Sequence, residues 1–367
     1  MRTSEPRVPF NDISRRIASL PGLNSEIEKL IQEGPFLNGI HTSSFETSFA
    51  KYIGTSHCLG VSSGTTALEL SLKALNLEAG TTVLLAANAG GYGSIAIQKN
   101  SLTSKYVDVD RNGLIDINEI LNNLDKVGAV IVTHLYGQAI QLSPLLSELK
   151  NRGVFLIEDC AQATGAYIEN HRAGSFGDIS AFSFYPTKNM GSIGDAGAIC
   201  TSNKEIFNRV KQLREYGWSN RYFSEIPGGG NNRIDEIHAL ILSRQLQKID
   251  GWNDKRREIW SRYNSATSQG VLRILGENSD SFVAHLAVLQ VRDRSQFGEY
   301  MDSLGIDTAI HYPFPDYIQS GLNPGNSFSS LPLTEELCNT VISVPIFPEM
   351  SASEIDRVTN ALRNFRG

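Results

Sequence analysis

Between about residue 45 and residue 200 the sequence alternates short, mostly apolar runs with stretches patterned for helix. No other feature constrains the fold as tightly. His57–Val61, Val83–Ala87, Lys105–Val109, Ala129–His134 and Val154–Glu158 have strand length. Thr65–Leu75 carries leucine at 68, 72 and 75, which is helical spacing. Strands separated by helices pair in parallel through crossovers, so the pattern predicts an α/β fold with helices on both faces of a mainly parallel sheet. Ile179–Phe184 and Ala198–Thr201 are predicted as two further strands, joined by a loop instead of a helix.

The flanks read differently. Residues 10–34 form a helical segment broken at Pro21-Gly22, and Gly34–Gly39 is a turn-rich loop. The glycine-rich stretch Ile226–Arg233 precedes a long helical pattern from Asp235 to Thr267. That pattern has one apolar stripe at Ile237, Leu240 and Ile241 and a neighbouring one at Leu242, Leu246 and Ile249. Phe282–Val291 reads as a strand, and Arg294–Leu304 and Ser353–Asn364 as helices. We expect a large domain over residues 1–245 and a smaller α+β domain over residues 246–367.

Composition excludes several classes. The chain is 41% hydrophobic and 20% charged, which is globular and not disordered. Lys plus Arg is 33 and Asp plus Glu is 39, a net charge of −6 with no basic run, so no nucleic-acid partner is expected. No apolar stretch reaches the roughly 18 residues a membrane span needs, and the first residues have no apolar core of signal-peptide length. Cys58, Cys160, Cys200 and Cys338 form no C-x-x-C pair and no zinc spacing, so we expect reduced thiols, a cytoplasmic location and no metal. The 32 glycines cluster, and the clusters mark the chemistry.

Three segments stand out. In Val61-Ser-Ser-Gly-Thr-Thr-Ala-Leu68 a strand meets a turn and enters a helix at once. The first N–H groups of that helix lack intrahelical partners, and Gly64 permits close approach, so a phosphate fits there; an ordinary capped turn would have the same sequence. Val154–Glu158 ends in Glu158-Asp159, with Gln162 three residues on. An acid at the carboxyl end of a parallel strand can hold a cationic heterocycle, and strand alternation lets only one of the two acids face it. In the third segment, Lys188 follows the strand ending near Ser183 and lies among Gly191, Gly194 and Gly197. A partly desolvated lysine there could form a Schiff base, and Ser183 could donate to a phosphate.

In this order the three segments resemble the layout of pyridoxal-phosphate enzymes of the aspartate-aminotransferase-like fold. More narrowly, the chain resembles the DegT/DnrJ/StrS-type sugar aminotransferases nearly end to end. Phe45-Glu46 with Phe49–Gly54, Val61–Leu68, Asp108-Val-Asp110, His134-Leu-Tyr-Gly-Gln138 and Glu158–Ala163 follow the family's order. Phe182–Asn189, Leu213–Gly217, Gly229–Asp235, His311-Tyr-Pro313 and Ser343–Pro348 complete it.

The resemblance implies roles. Lys188 would bond pyridoxal 5'-phosphate as a Schiff base and move protons. Asp159 would pair with the ring nitrogen, Gln162 would lie against the ring oxygen, and Gly64, Thr65 and Ser183 would hold the phosphate. Asn231 would reach the phosphate of a neighbouring subunit, because family members are homodimers with shared sites. Where the family often has an aromatic that stacks on the cofactor ring, this chain reads Asn88-Ala-Gly-Gly-Tyr92. The slot falls on Gly90, and Tyr92 is expected to take the role through a shifted turn. The implied reaction moves an amino group from an amino acid, with L-glutamate the expected donor, to the keto group of a nucleotide-linked sugar. The cofactor would alternate with pyridoxamine phosphate. Arg-Glu-Tyr216-Gly resembles members acting at C-3, so a dTDP-linked 3-keto-6-deoxyhexose is expected. Arg221, Arg233, His311 and Tyr312 are candidates for holding it. The alternatives are a C-4 aminotransferase, a sugar lyase (which would carry His in place of Lys188), and a non-catalytic regulator.

Overall fold

The computed structural model describes residues 6–267, 271–322 and 329–367. The chain begins with α1 (Ile13–Ala18), α2 (Leu23–Glu33) and α3 (Ile40–Ile53). It continues through β1 (His57–Val61), α4 (Gly64–Ala74), β2 (Thr82–Ala86), α5 (Tyr92–Lys99) and β3 (Thr103–Val107). Next come α6 (Ile117–Asn122), β4 (Val127–Thr133), α7 (Ser143–Arg152) and β5 (Phe155–Asp159). A short hairpin of β6 (Tyr167–Ile168) and β7 (His171–Arg172) leads to β8 (Ile179–Ser183) and β9 (Gly197–Thr201). After α8 (Lys204–Arg214) and the hairpin β10 (Trp218–Asn220) and β11 (Phe223–Ser224) lie α9 (Glu236–Leu246) and α10 (Ile249–Thr267). The chain ends with β12 (Arg273–Ile274), β13 (Ala287–Gln290), α11 (Arg294–Ser303), α12 (Pro332–Thr340), β14 (Val341–Val344) and α13 (Ala352–Asn364).

Seven strands form one sheet in the order β1-β9-β8-β5-β4-β2-β3. All pairs are parallel except those of β9, which runs against both β1 and β8. The loop expected between the last two strands thus makes β9 the antiparallel member, because no helix intervenes to return the chain. Alternation explains why the runs are apolar throughout. Leu84, Ala86, Val130 and Val132 pack into one core, and Val83, Leu85, Ala129 and Ile131 into the other. With both faces covered, each buried Val, Leu or Ile contributes roughly 1.5–3 kcal/mol.

A third apolar core lies against the antiparallel sheet β12-β13-β14 and gathers Trp260, Tyr263, Phe297, Met301, Val358 and Leu362. Val8 is buried in this same core and pairs with Ile306, so the N-terminal segment joins the C-terminal part. This places α1 between the two ends of the chain. The predicted helix over 235–267 is two helices, because bonding tightens at the turn where Lys248 N–H donates to Gln245 O at 2.8 Å. Both predicted stripes face the first core, where Leu240, Ile241, Leu242 and Ile249 are buried, and the C-terminal core takes Ile259, which belongs to neither stripe. The predicted strand Phe282–Val291 is regular only over Ala287–Gln290. Helix α3 and strand β14 were not anticipated, although Phe45, Phe49 and Ile53 stand at helical spacing in α3. Helix α3 is held by Glu236, whose carboxylate accepts from the N–H groups of Gly39, His41 and Thr42, all at 2.9 Å.

Candidate active site

A cavity of about 500 Å³ opens where β1, β8 and β5 end. Open parallel sheets bind ligands at this edge. Gly64, Thr65, Tyr92, Asp159, Ser183, Lys188, His311 and Tyr312 all line it. Residues spread over some 250 positions of sequence therefore converge.

The two acids at the end of β5 divide as alternation requires. Glu158 is fully buried on the far side. Its carboxylate accepts from the N–H groups of Gly174 and Phe176 at 2.8 Å and Gly177 at 2.7 Å. His134 completes the set. Its Nδ1 accepts from Ile140 N–H at 3.1 Å, so its Nε2–H donates to Glu158 at 3.1 Å. His134, Glu158 and Cys160 lie close enough to be considered as metal ligands, but this carboxylate is already committed to four donors. Asp159 faces the cavity instead, accepting from Ala161 N–H and Thr133 Oγ1, each at 3.1 Å. Burial raises its pKa above the ordinary carboxylate value, while those donors and Lys188 oppose the rise.

Lys188 is carried on the loop between β8 and β9. Its N–H closes a turn onto Tyr185 O at 2.8 Å. Burial pushes the ammonium down to about 8 against the attraction of Asp159. A lysine so placed is partly neutral, hence nucleophilic, near physiological pH. The glycines around it answer to close approach. A Cβ on Gly191 would lie 2.4 Å from Pro186 O, and one on Gly197 2.4 Å from Ser63 O.

The turn before α4 is built as an anion cradle. Ser63 caps the helix by accepting from Thr66 N–H at 3.0 Å. Gly64 and Thr65 open the helix, where N–H groups have no intrahelical acceptor. A Cβ on Gly64 would stand 2.5 Å from Ser183 Cβ, so only glycine lets the β8 hydroxyl come beside this helix end. A helix N-terminus, a serine hydroxyl, a lysine and a buried acid are the donor and charge set that pyridoxal phosphate requires, and the residues fit it.

Other expected residues are placed differently. Gln162 is buried but is not on the cavity wall. Its Oε1 accepts from Tyr136 N–H at 2.7 Å and its Nε2 donates to Tyr312 Oη at 3.1 Å. Tyr92 opens α5 and meets Tyr312 edge to face at 6.4 Å between centroids. Gly90, where the family slot falls, has φ +80° and its Cβ would lie 2.9 Å from the Tyr312 ring. An aromatic could not occupy that position here. Arg221 and Arg233 do not join His311 and Tyr312. They line a separate open groove with Tyr216, Trp218 and Tyr222, and Asn231 is exposed nearby. The backbone at Arg233 bridges Val61 at the carboxyl end of β1, and Ser62 N–H donates to Asn232 O at 3.0 Å, but the Arg233 side chain turns into the groove, where its Nη1 donates to Glu215 at 3.3 Å.

Sequence reasoning missed Phe10, Asn11, Asp195 and His285 on the cavity wall. Phe10 and Asn11 carry no local signal, because only the pairing of Val8 with Ile306 brings them there. His285 had a faint one, a lone polar residue inside Val283-Ala-His-Leu-Ala-Val288. Its Nδ1 contacts Asn189 Oδ1 at 3.0 Å. The Asn189 amide is oriented by donation to Asn253 Oδ1 at 2.8 Å and Val283 O at 2.9 Å, so His285 carries its proton on Nδ1. Burial and the nearby cations hold this imidazole well below its usual pKa. His311 is likewise pushed down to about 4, chiefly by burial.

A buried lysine of lowered pKa, a strand-end aspartate and a helix start open toward the same cavity have the arrangement of lysine-based pyridoxal-phosphate enzymes. The chain belongs to the DegT/DnrJ/EryC1/StrS aminotransferase family, whose model matches residues 22–363. It is 34% identical over 364 residues to a dTDP-3-amino-3,6-dideoxy-alpha-D-galactopyranose transaminase of Aneurinibacillus thermoaerophilus, covering 98% of this chain and 99% of that protein. The crystal structure of Streptomyces venezuelae DesV in complex with a ketimine intermediate is similar with a TM-score of 0.93 and 31% identity, covering 98% of each chain. That of NtdA from Bacillus subtilis with bound PMP gives 0.91 and 25% identity, over 98% of this chain and 85% of that one.

Two substitutions at the end of β5 should separate structure from chemistry. Glu158→Ala strands four donors and should cost about 3 kcal/mol or more, read as a fall in Tm. Asp159→Asn should leave Tm nearly unchanged and cut turnover by orders of magnitude. At the cradle, Gly64→Ala forces Ser183 away and should weaken cofactor binding roughly tenfold or more, measured by titration of the apoprotein.

Proposed function

We propose that the protein transfers an amino group from L-glutamate to the 3-keto group of a dTDP-linked 6-deoxyhexose, using pyridoxal 5'-phosphate. The observation that carries this reading is Lys188, lowered to about 8, sharing one cavity with buried Asp159 and the start of α4. The family and the 3-amino sugar in the name of its relative support the amino transfer and the ring position. Bound PMP in a structural relative supports the cofactor.

In this reading Gly64, Thr65 and Ser183 hold the phosphate, Asp159 meets the ring nitrogen, and Tyr92 packs against the ring. The Gln162 amide acts at the ring edge through Tyr312, to which it donates. When bound, the cofactor supplies the electron sink at the carbon that gains or loses the amine. Lys188 moves the proton there, which its lowered pKa permits near neutrality. His311 and Tyr312 contact the sugar.

We propose further that the enzyme is a cytoplasmic homodimer with shared sites. No helix among the described residues is long and apolar enough to cross a membrane. Phe36, Ile40, Tyr222 and Phe223 are exposed, at 60%, 72%, 75% and 64%, on segments flanking the groove that holds Arg221 and Arg233. Apolar surface of this kind suits a second copy. Pairing would bring Arg221, Arg233 and Asn231 to the partner's cavity, where the phosphate groups need cations in an acidic protein. We place the domain boundary at 245/246, beside the break at Gln247-Lys248 between α9 and α10, with the N-terminal helical segment counted in the large domain because Leu20, Leu23 and Leu30 are buried in its core, Val8 alone lying in the C-terminal one.

The pyridoxamine form, offered 3-keto and 4-keto dTDP-sugars, should aminate the former, with the amine located at C-3 by NMR. Amination at C-4 alone would replace the substrate reading, and no amination of either would remove it. Lys188→Ala and Arg221→Ala chains, each inactive alone, should regain activity when mixed as hybrids. Absence of recovery would contradict shared sites.

A further inference from the structure

The cavity rests on a buried group of charges that none of the roles above uses. None of the motifs quoted for the family begins before Phe45, yet α1 sends Arg16 directly beneath the lysine loop. Arg16 is fully buried. Its Nη1 donates to Lys188 O at 2.5 Å and to Pro186 O at 3.3 Å, the carbonyls on either side of Thr187. From α10, Arg256 is also fully buried, and its Nη1 donates to Ile346 O at 2.7 Å and His285 O at 3.3 Å. Ile346 and His285 are both cavity walls. Three residues after Ile346, Glu349 holds both carboxylate oxygens buried without a hydrogen-bond partner among the described residues. The Nε and Nη2 groups of Arg16 and Arg256 are unpartnered in the same way, and Glu349 acts electrostatically on both guanidinium groups.

Two buried cations and one buried anion are costly unless they do something that apolar side chains could not. Arginine's fork suits the task of gripping carbonyls from separate segments. Here the gripped carbonyls belong to the lysine loop on one side and to the C-terminal wall of the cavity on the other.

We propose that Arg16 is a positioning residue for Lys188: by holding the carbonyls of Pro186 and Lys188 it fixes the lysine loop so that the amine stands beside Asp159, while Arg256 holds the facing wall through Ile346 and His285. Asp159, Asp195, His285, His311 and Tyr312 face the same cavity from other elements and stay constant in the variants below. The inference rests on the pyridoxal-phosphate reading of the site.

The test is a pH titration of the visible absorption band of the cofactor-loaded protein, which needs no turnover. Arg16→Met frees the loop that keeps the amine beside Asp159, whose attraction favours the protonated nitrogen, and should lower the midpoint by roughly half a pH unit or more. It should also reduce kcat about tenfold or more with KM for the donor little changed, and Arg16→Lys should recover part of both changes. A packing role alone would lower Tm and leave the midpoint in place. If Arg16→Met does not fold, Arg16→Gln decides, and an unmoved midpoint with unchanged kcat in a folded Arg16→Gln protein overturns the proposal. A wild-type protein with no titrating band on addition of pyridoxal phosphate would instead count against the cofactor reading itself.

Discussion

At the end of β5 two adjacent carboxylates must do opposite things, and the period-two geometry of a strand makes this possible. Glu158 turns into the protein and ties down His134 and the 174–177 loop. Asp159 turns out to the cavity, where it faces the influence of Lys188. A slip of one residue would exchange the two. The loop would lose its anchor, and the cavity would receive the wrong acid. The register of β5 between β4 and β8 is therefore what the remaining site geometry builds on.

Much of this was legible in the sequence, for identifiable reasons. The parallel strands were readable because a sheet covered on both faces demands continuous apolar runs. Ser183 and Lys188 were readable because the strand and the glycines around it have local signatures. The division of Glu158 from Asp159 was readable only as a choice, since alternation says that one acid faces the ligand but not which. Helix α3 had a local signal in Phe45, Phe49 and Ile53 that was passed over, and its start was not readable, because it is held by Glu236 nearly 200 positions away. Phe10, Asn11 and Arg16 were equally silent, because long-range pairing of the N-terminal segment brings the first two to the cavity wall and Arg16 beneath the lysine loop. The motif residues Glu46, Asp108 and His134 turn out to bind other parts of the chain. Glu46 accepts from Gly60 N–H at 2.8 Å and from Arg214 at 2.5 Å, and Asp108 from Leu333 and Thr334 N–H at 3.0 and 2.8 Å.

Although the chain carries a net charge of −6, its cavity gathers a helix start and one lysine, and burial holds His285 and His311 below the usual imidazole pKa, with Lys188 adding to the effect. The glycines serve the same end. At Gly64 and Gly197 they allow backbone and hydroxyl donors to crowd where side chains would intrude.

The central claim is that this environment makes Lys188 a reactive amine near neutral pH. The rate at which apoprotein captures pyridoxal phosphate, followed against pH by stopped-flow absorbance, tests it most directly. Neutral amine is the reacting form, so the rate should rise with pH and level off with a midpoint near 8. In Asp159→Asn the midpoint should fall, because the acid's attraction for the ammonium is gone. A rate that keeps climbing toward the ordinary lysine value of 10.5, or a midpoint indifferent to Asp159, would contradict the account.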